Sequence, residues 1–401
     1  MTDSTFQPPP MSLGALFLRF LRFGCLAFGG PVAQIAMIRR ELVEQERWIS
    51  GERFNRLLAV MQALPGPEAH ELCVHLGMRA RGRIGGLLAG LGFMLPGFVL
   101  MTLAAWLYFR FDIAEGALAP ALLGAQAAAV ALVARASQRI GAHVLSARAL
   151  WTLAILAAVA TLAGAPFWLL LPAAGAVHLL VNAGRRGEAL VLVAVVAVTA
   201  VVLRTTGLGA GGPGAAAGPL AAATLGALFL AGLKGGLLTF GGAYTAIPFV
   251  RQDVVGPGWV RDGTFLDGVA LANVLPAPLV IFATFSGFAA GGFAGAVAIT
   301  IGMFLPAFAF SLTLYDRLEA VVSAPRVHAA LDGVAAAVVG VIVATLVSLA
   351  ASLLSEAGDR AWIVAGLGAG ALGALFVLKG RFAAPLVLLA AAVLGLFMLG
   401  G

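Results

Sequence analysis

The sequence predicts an all-α polytopic integral membrane protein. Two homologous halves form an inverted-topology repeat, with helices broken at Phe-Gly-Gly and Pro-x-Pro motifs. Three observations predict it. The chain is 61% hydrophobic and only 11% charged, where a soluble domain carries about 25% charged residues. Apolar runs follow one another at 84–109, 116–134, 149–183, 329–354, 361–378 and 382–401, the fourth broken only by Asp332; a run of roughly 18 such residues spans a bilayer. Third, the motifs of the first half return, in order, in the second.

The repeat is specific. Phe28-Gly29-Gly30 returns 212 residues later as Phe240-Gly241-Gly242, and at that offset Arg22 meets Lys234, Arg39 meets Arg251 and Glu41 meets Asp253. The stretch QALPGP from Gln62 meets NVLPAP from Asn273, 211 residues on, and GFMLPGF from Gly92 meets GMFLPAF from Gly302, 210 on. Chance apolar similarity would not align cation, acid, amide and proline together, so the chain carries an internal duplication.

In order, the first half offers apolar elements at 12–38, 54–80, 84–109, 116–140, 149–164 and 166–183. A seventh at 189–203 and a glycine-rich stretch at 207–219 lead to the second half. This gives a first repeat over 1–183, a linker with one membrane segment over 184–219, and a second repeat over 220–401. If all seven elements cross, the second half starts on the opposite side, as in many secondary transporters. On that count the N-terminal side holds 14 loop cations against 8, which makes the N-terminus cytoplasmic. Segment 54–80 is polar at its start and broken by Pro-Gly-Pro; a re-entrant path there would change the count.

The net charge of +7 comes from cations lying between apolar runs, so the partner it implies is the lipid bilayer and not nucleic acid. Cys25 and Cys73 lie inside apolar segments and no CxxC occurs, so no disulfide, metal or cofactor is indicated. The polar first residues contain no cation, unlike a signal peptide, and the first apolar segment serves as an uncleaved anchor. Trp106, Tyr108 and Tyr315 sit at segment ends, where aromatic residues anchor at the interface.

The breaks point to a site. Gly29, Gly30 and Pro31, and Pro65, Gly66 and Pro67, cannot sit in an unbroken helix. Gly241, Gly242, Pro276 and Pro278 repeat them. In lipid, a broken helix is tolerated only against protein or a watery cavity. A half-helix starting at Gly30 or Gly66 presents free N–H groups and a positive dipole end. Arg22, seven residues before Gly29 and so on one helix face with it, and Lys234, in the same relation to Gly241, add charge; Gln62 and Asn273 add neutral donors. Together these suit a small oxyanion, best a dianion. Blander roles exist: Arg22 can snorkel to an interface, the glycines can serve helix packing, and Arg39, Glu41, Arg251 and Asp253 can be interfacial or salt-bridged.

Only the first half carries PEAHELCVH at 67–75. Glu68, Glu71 and His75 share one helical face and, with Arg39, Glu41, Arg251 and Asp253, could bind a proton or gate the site. His70 and His75 stand at i, i+5 and diverge, unlike a zinc-protease helix. An ionised Glu68 would repel an oxyanion, so proton and anion would bind together, which favours symport over antiport. Export needs no proton: a dianion leaving an inside-negative cell gains about 2.3 kcal/mol per charge per 100 mV.

At these residues the chain resembles the chromate ion transporter family. FGGP at 28–31 with Arg39-Arg40-Glu41, Trp48, LPGPEA at 64–69 and GFMLPG at 92–97 is similar to that family's first half, and FGG at 240–242 with ANVLPAP at 272–278 to its second. The resemblance implies a long, two-domain bacterial inner-membrane protein that exports chromate and confers resistance, with sulfate the other ligand to consider; a homodimer is compatible with it. Ala277 departs from the pattern where a glycine matching Gly66 is expected, so the second break would approach a ligand less closely. The expected function is chromate export by alternating access. Alternatives are a sulfate or other oxyanion carrier, a passive anion channel, and a membrane-embedded enzyme built on Glu68, Glu71 and His75; the protein is read as not an enzyme.

Overall fold

The computed structural model describes residues 6–63, 66–206, 223–240, 242–314 and 324–400; the stretch 207–219, Tyr315, Pro65 and Gly241 fall outside them. The described residues are helical with no strand. The chain is all-α, and its two halves form an inverted repeat with helices broken at the predicted motifs.

The repeat extends to the caps. Helix α1 (Leu13–Cys25) starts at Ser12, whose Oγ accepts from Ala15 N at 3.1 Å. Helix α9 (Leu225–Leu237) starts at Thr224, whose Oγ1 accepts from Ala227 N at 3.2 Å. A hydroxyl there satisfies one orphan N–H of the first turn. Both helices run 13 residues, about 20 Å at 1.5 Å per residue, too short to span a bilayer.

After α1 the chain turns back. Gly29 and Gly30 take left-handed φ values of 88° and 76°, and α2 (Gly30–Ile38) follows, widening into a π-helical turn at Arg39–Gln45. The returning limb lies along α1: Glu41 meets Arg22, Glu46 meets Arg19, and Trp48 meets Phe20 edge-on. The expected crossing at 12–38 is therefore a re-entrant hairpin, and Gly29 is off the α1 helix rather than on a shared face with Arg22.

Segment 54–80 is also two limbs. Helix α3 (Gly51–Ala63) runs into the break at 64–67, and α4 (Glu68–Arg110) leaves it. Within α4, Arg81 and Gly82 leave the helix, Gly82 with φ 63° and ψ −161°, a region open essentially to glycine. The chain reverses there. A Cβ on Gly77 would lie 2.6 Å from Gly85 O, and one on Gly86 would lie 2.9 Å from Val74 O. Only small residues allow two backbones so close. The short limb of α4 (68–80) thus returns to the chain's start, where Arg81 donates to Met11 O at 2.7 Å, and the long limb (83–110) crosses.

The second half repeats this path. Helix α10 (Ala246–Val254) follows the break after α9; α11 (Asp262–Val274) and α12 (Phe282–Ala309) flank the Pro276–Pro278 break. Gly291 and Gly292 reverse α12 with the dihedrals of Arg81 and Gly82, Gly292 at φ 62° and ψ −155°. Its long limb packs along α9 as that of α4 packs along α1. A Cβ on Gly24 would meet Pro96 Cγ at 3.0 Å, and one on Gly236 would meet Pro306 Cγ at 3.1 Å.

Helices α5 (Ala119–Val144), α6 (Arg148–Leu162), α7 (Phe167–Asn182) and α8 (Arg186–Thr205) complete the first half; α13 (Pro325–Ala357), α14 (Ala361–Val377) and α15 (Ala383–Leu399) complete the second. With the long limb of α4, the first group gives five successive helices before the second half begins, and an odd number of passes starts the second half at the opposite end. The halves interlock. α5 rests on α14 and α15, with a Cβ on Gly395 falling 2.5 Å from Pro120 O, and α13 rests on α6 and α7, with one on Gly333 falling 2.7 Å from His178 Cβ. Among the described residues, stretches within 68–110, 119–144, 186–205, 279–313 and 326–377 are long and apolar enough to cross a membrane.

Candidate functional site

The breaks of the two halves meet. Gly66 N donates to Thr239 O at 2.8 Å, joining the Pro-x-Pro break of the first half to the Phe-Gly-Gly break of the second. The symmetry-related junction, Ala27 with Ala277, is closed differently. Gln34, 1% exposed, donates through Nε2 to Ala27 O at 2.9 Å and Ala277 O at 3.0 Å. The Ala277 methyl lies over Gly97, where a Cβ would fall 2.5 Å from it.

The half-helix starts are not equivalent. Gly29 is exposed and no side chain caps the start of α2, whose first turn holds Pro31. The matching break in the second half is closed from within: Thr245 Oγ1 accepts from Phe240 N at 3.0 Å and donates to Gly242 O at 2.7 Å. Ala33 stands at the position of Thr245, so the first half lacks this closure. Arg381 borders the open start, its backbone so near that a Cβ on Gly29 would fall 2.7 Å from its Cα.

Each predicted cation meets an acid from the returning limb. Arg22 reaches Glu41 with two contacts, at 3.2 and 3.3 Å, and Lys234 donates to Asp253 at 2.6 Å. The Arg22 side chain remains 59% exposed and that of Lys234 45%. Lys234 Nζ also lies 5.4 Å from the centre of the Phe167 ring. Arg39 pairs with Glu44 at 3.4 Å, and Arg251 holds both oxygens of Asp262 at 2.7 Å. Arg39–Glu41 and Arg251–Asp253 are therefore not partners: residues two apart on a helix do not face each other.

The acidic patch borders the first-half break. Glu68, His70, Glu71 and His75 are buried. Both Glu71 carboxyl oxygens are buried without a hydrogen-bond partner among the described residues, beside Gly66. His70 stacks edge-on between Phe304 and Phe308, centroids 4.9 and 4.7 Å away. Gln62 is exposed at the end of α3. Asn273 accepts from the Tyr244 hydroxyl at 2.6 Å and donates to Val269 O at 2.8 Å, so its amide is engaged. Pro67 caps the short limb of α4, and Pro276 and Pro278 flank Ala277. Tyr108 is not an interface anchor: it is buried and its hydroxyl donates to Asp267 at 2.6 Å.

A family model described as chromate transporter matches residues 14–181 and 226–396, one stretch in each half. The chain belongs to the chromate transporter family. It is 56% identical over 397 residues to a chromate transport protein of Pseudomonas aeruginosa, covering 98% of this chain and 95% of that one. It is 30% identical to a chromate transport protein of Cupriavidus metallidurans over 86% of this chain and 85% of the relative. No solved structure matches. As a chromate transporter family member with several apolar spans, the chain is a multi-pass membrane transporter.

Reading the residues alone missed Gln34, Thr239, Arg381 and the Tyr108–Asp267 pair. Gln34 was visible as one amide in the apolar stretch GPVAQIAMI, but its counterpart is Ala246, so the repeat gave it no weight. Thr239 acts through its carbonyl, which any residue offers.

Proposed function

We propose that this protein is a secondary transporter that exports chromate from bacterial cells across the inner membrane, with its N-terminus cytoplasmic, and so confers chromate resistance. The observation that carries this reading is the meeting of four helix breaks from two inverted halves. Such a centre offers backbone donors to a dianion, and the reversed halves can exchange roles to open it on either side. Arg22, Gly29, Gly30, Pro31, Gly66 and Pro67, with Lys234, Gly242, Asn273, Pro276 and Pro278, surround the proposed path.

The ion pairs set its logic. Arg22 and Lys234 carry charge already answered by Glu41 and Asp253, so an oxyanion competes with those acids. Arrival of the dianion releases the returning limb of its hairpin, and departure lets the pair close again. Glu68, Glu71 and His75 sit where a proton would be felt by the bound anion: a neutral Glu71 tolerates a dianion at Gly66, an ionised one repels it.

The hairpin paths also support a cytoplasmic N-terminus. With both hairpins opening at the N-terminal end, Arg39, Arg40, Arg47, Arg53 and Arg56 join that end, and Arg251 and Arg261 move to the other, so the excess of cations at the N-terminal end grows. The repeats occupy 1–183 and 220–401, with 184–219 as the linker.

The test is chromate flux in proteoliposomes, with and without a membrane potential, for the parent and an Arg22→Ala, Lys234→Ala double variant. Saturable, potential-sensitive flux lost in the variant is expected. Full flux in the variant would reject the paired-cation site. Sulfate flux without chromate flux would move the substrate to sulfate, and flux that never saturates would mean a passive channel.

A further inference from the structure

Asp267, on α11, is 2% exposed and in no ion pair among the described residues. Its carboxylate accepts from the Tyr108 hydroxyl at 2.6 Å and from Gln126 Nε2 at 2.8 Å. Both donors are neutral, and both come from the first half, on α4 and α5, while Asp267 belongs to the second. Gln126 is itself 5% exposed; its Nε2 also reaches Gly263 O at 3.3 Å, and its Oε1 is buried with no partner among the described residues. A second acid borders the same glycine: a Cβ on Gly263 would fall 3.0 and 3.2 Å from the Glu356 carboxylate oxygens and 3.5 Å from Gln126 Nε2.

An ionised Asp267 accepts from both neighbours as found. A protonated one must donate, and each neighbour has an acceptor to offer: the Tyr108 phenol oxygen, when its own hydroxyl turns away, and Gln126 Oε1, which rotation of the amide end, a soft two-fold torsion, turns toward Asp267. A buried carbonyl oxygen left unpartnered costs stability, and a proton on Asp267 gives it a partner. The Asp267 carboxyl therefore has hydrogen-bond partners with a proton as well as without one.

We infer that Asp267 is a proton-binding site between the halves, with Gln126 the positioning residue that answers its protonation. The step is a simple transfer: a hydronium ion on one side gives up its proton and becomes water, an O–H bond forms on Asp267, and the proton later passes to a water on the other side, which becomes hydronium. Each state changes the tie between α11 and the α4–α5 pair, which couples the proton to the relative position of the halves. The charged and titratable groups around it are Tyr108 on α4, Glu356 on α13, and Arg261 and Asp262 at the start of α11, paired with Glu115 at 3.5 Å and Arg251 at 2.7 Å. Helices α12 and α15, also packed against α11, carry no titratable side chain.

This inference rests on the transport reading, and the experiment separates the two. Proteoliposomes holding a trapped pH dye, with the potential clamped, are given a chromate gradient; chromate exchange at equilibrium is followed in parallel. In the parent, exchange and a chromate-driven internal pH change are both expected. Asp267→Asn, which keeps an acceptor for Tyr108, is expected to exchange chromate and lose the pH change. A parent that exchanges neither chromate nor sulfate overturns the transport reading and this inference with it. Exchange in the parent with a full pH change in Asp267→Asn overturns the inference alone, as does coupling that follows sodium instead of pH. If Asp267→Asn loses exchange as well, Gln126→Met decides. It keeps the carboxylate and removes the waiting acceptor, and a shifted pH profile of uptake is expected; an unchanged profile overturns the inference.

Discussion

Single side chains decide how the two junctions hold. Gln34 is placed so that one amide satisfies two carbonyls from different halves. Gln34→Leu leaves both Ala27 O and Ala277 O buried and unpaired, at about 1–3 kcal/mol each. Thermal unfolding in detergent should fall accordingly, and transport should weaken more than it does for Gln62→Leu, whose side chain is exposed. Ion pairing makes a second point at this scale. The partners Arg22–Glu41 and Lys234–Asp253 both lie 19 residues apart. Their equal spacing was present in the sequence, but which acid meets which cation was not. A cation and an acid two positions apart on one helix point different ways, so the partners of Glu41 and Asp253 come from the facing limb of the hairpin.

At the level of elements, backbone conformation was the legible part. Gly-Gly and Pro-x-Pro cannot continue a helix, so the breaks could be placed from residue type alone. The direction taken after each break could not. An apolar run reads the same whether it crosses or returns, and α1 with α2 together are long enough to pass for one span. What marks the return is side-chain pairing across the hairpin, which hydropathy does not record. The reversals at Arg81-Gly82 and Gly291-Gly292 give a matched test. Neither Gly82 nor Gly292 would place a Cβ within 4 Å of another atom, so only backbone strain opposes Gly82→Ala or Gly292→Ala. Each should cost about 1–3 kcal/mol, and the two costs should be similar, read as shifts in unfolding temperature. Gly86→Val, where the short limb presses its carbonyl against the long one, should cost more.

Across the whole molecule, the inverted repeat was readable because the duplication kept its order and spacing; the interlock was not. Helix α5 of the first half seats on α14 and α15, and α13 of the second on α6 and α7, so each half buries its apolar faces on the other. Fragments 1–206 and 207–401 expressed separately should be degraded, and expressed together they should co-purify as one complex. Two fragments that are each protease-resistant alone would contradict the exchange of helices.

The unequal closure of the two junctions bears on which way the protein rests. Perfectly matched halves in an inverted arrangement would make the state open to one face and the state open to the other equal in energy. Here one junction is held by a main-chain bond and the other by a side-chain amide, and one Phe-Gly-Gly break is sealed by Thr245 while the other is bare. Under the alternating access proposed above, trading halves would not return the same set of bonds, and the unloaded protein would wait facing one side more than the other. A difference of about 1.4 kcal/mol is a tenfold bias. Replacing Gln34 with alanine, the residue its counterpart carries, would level part of that difference and leave the empty carrier less committed to one face.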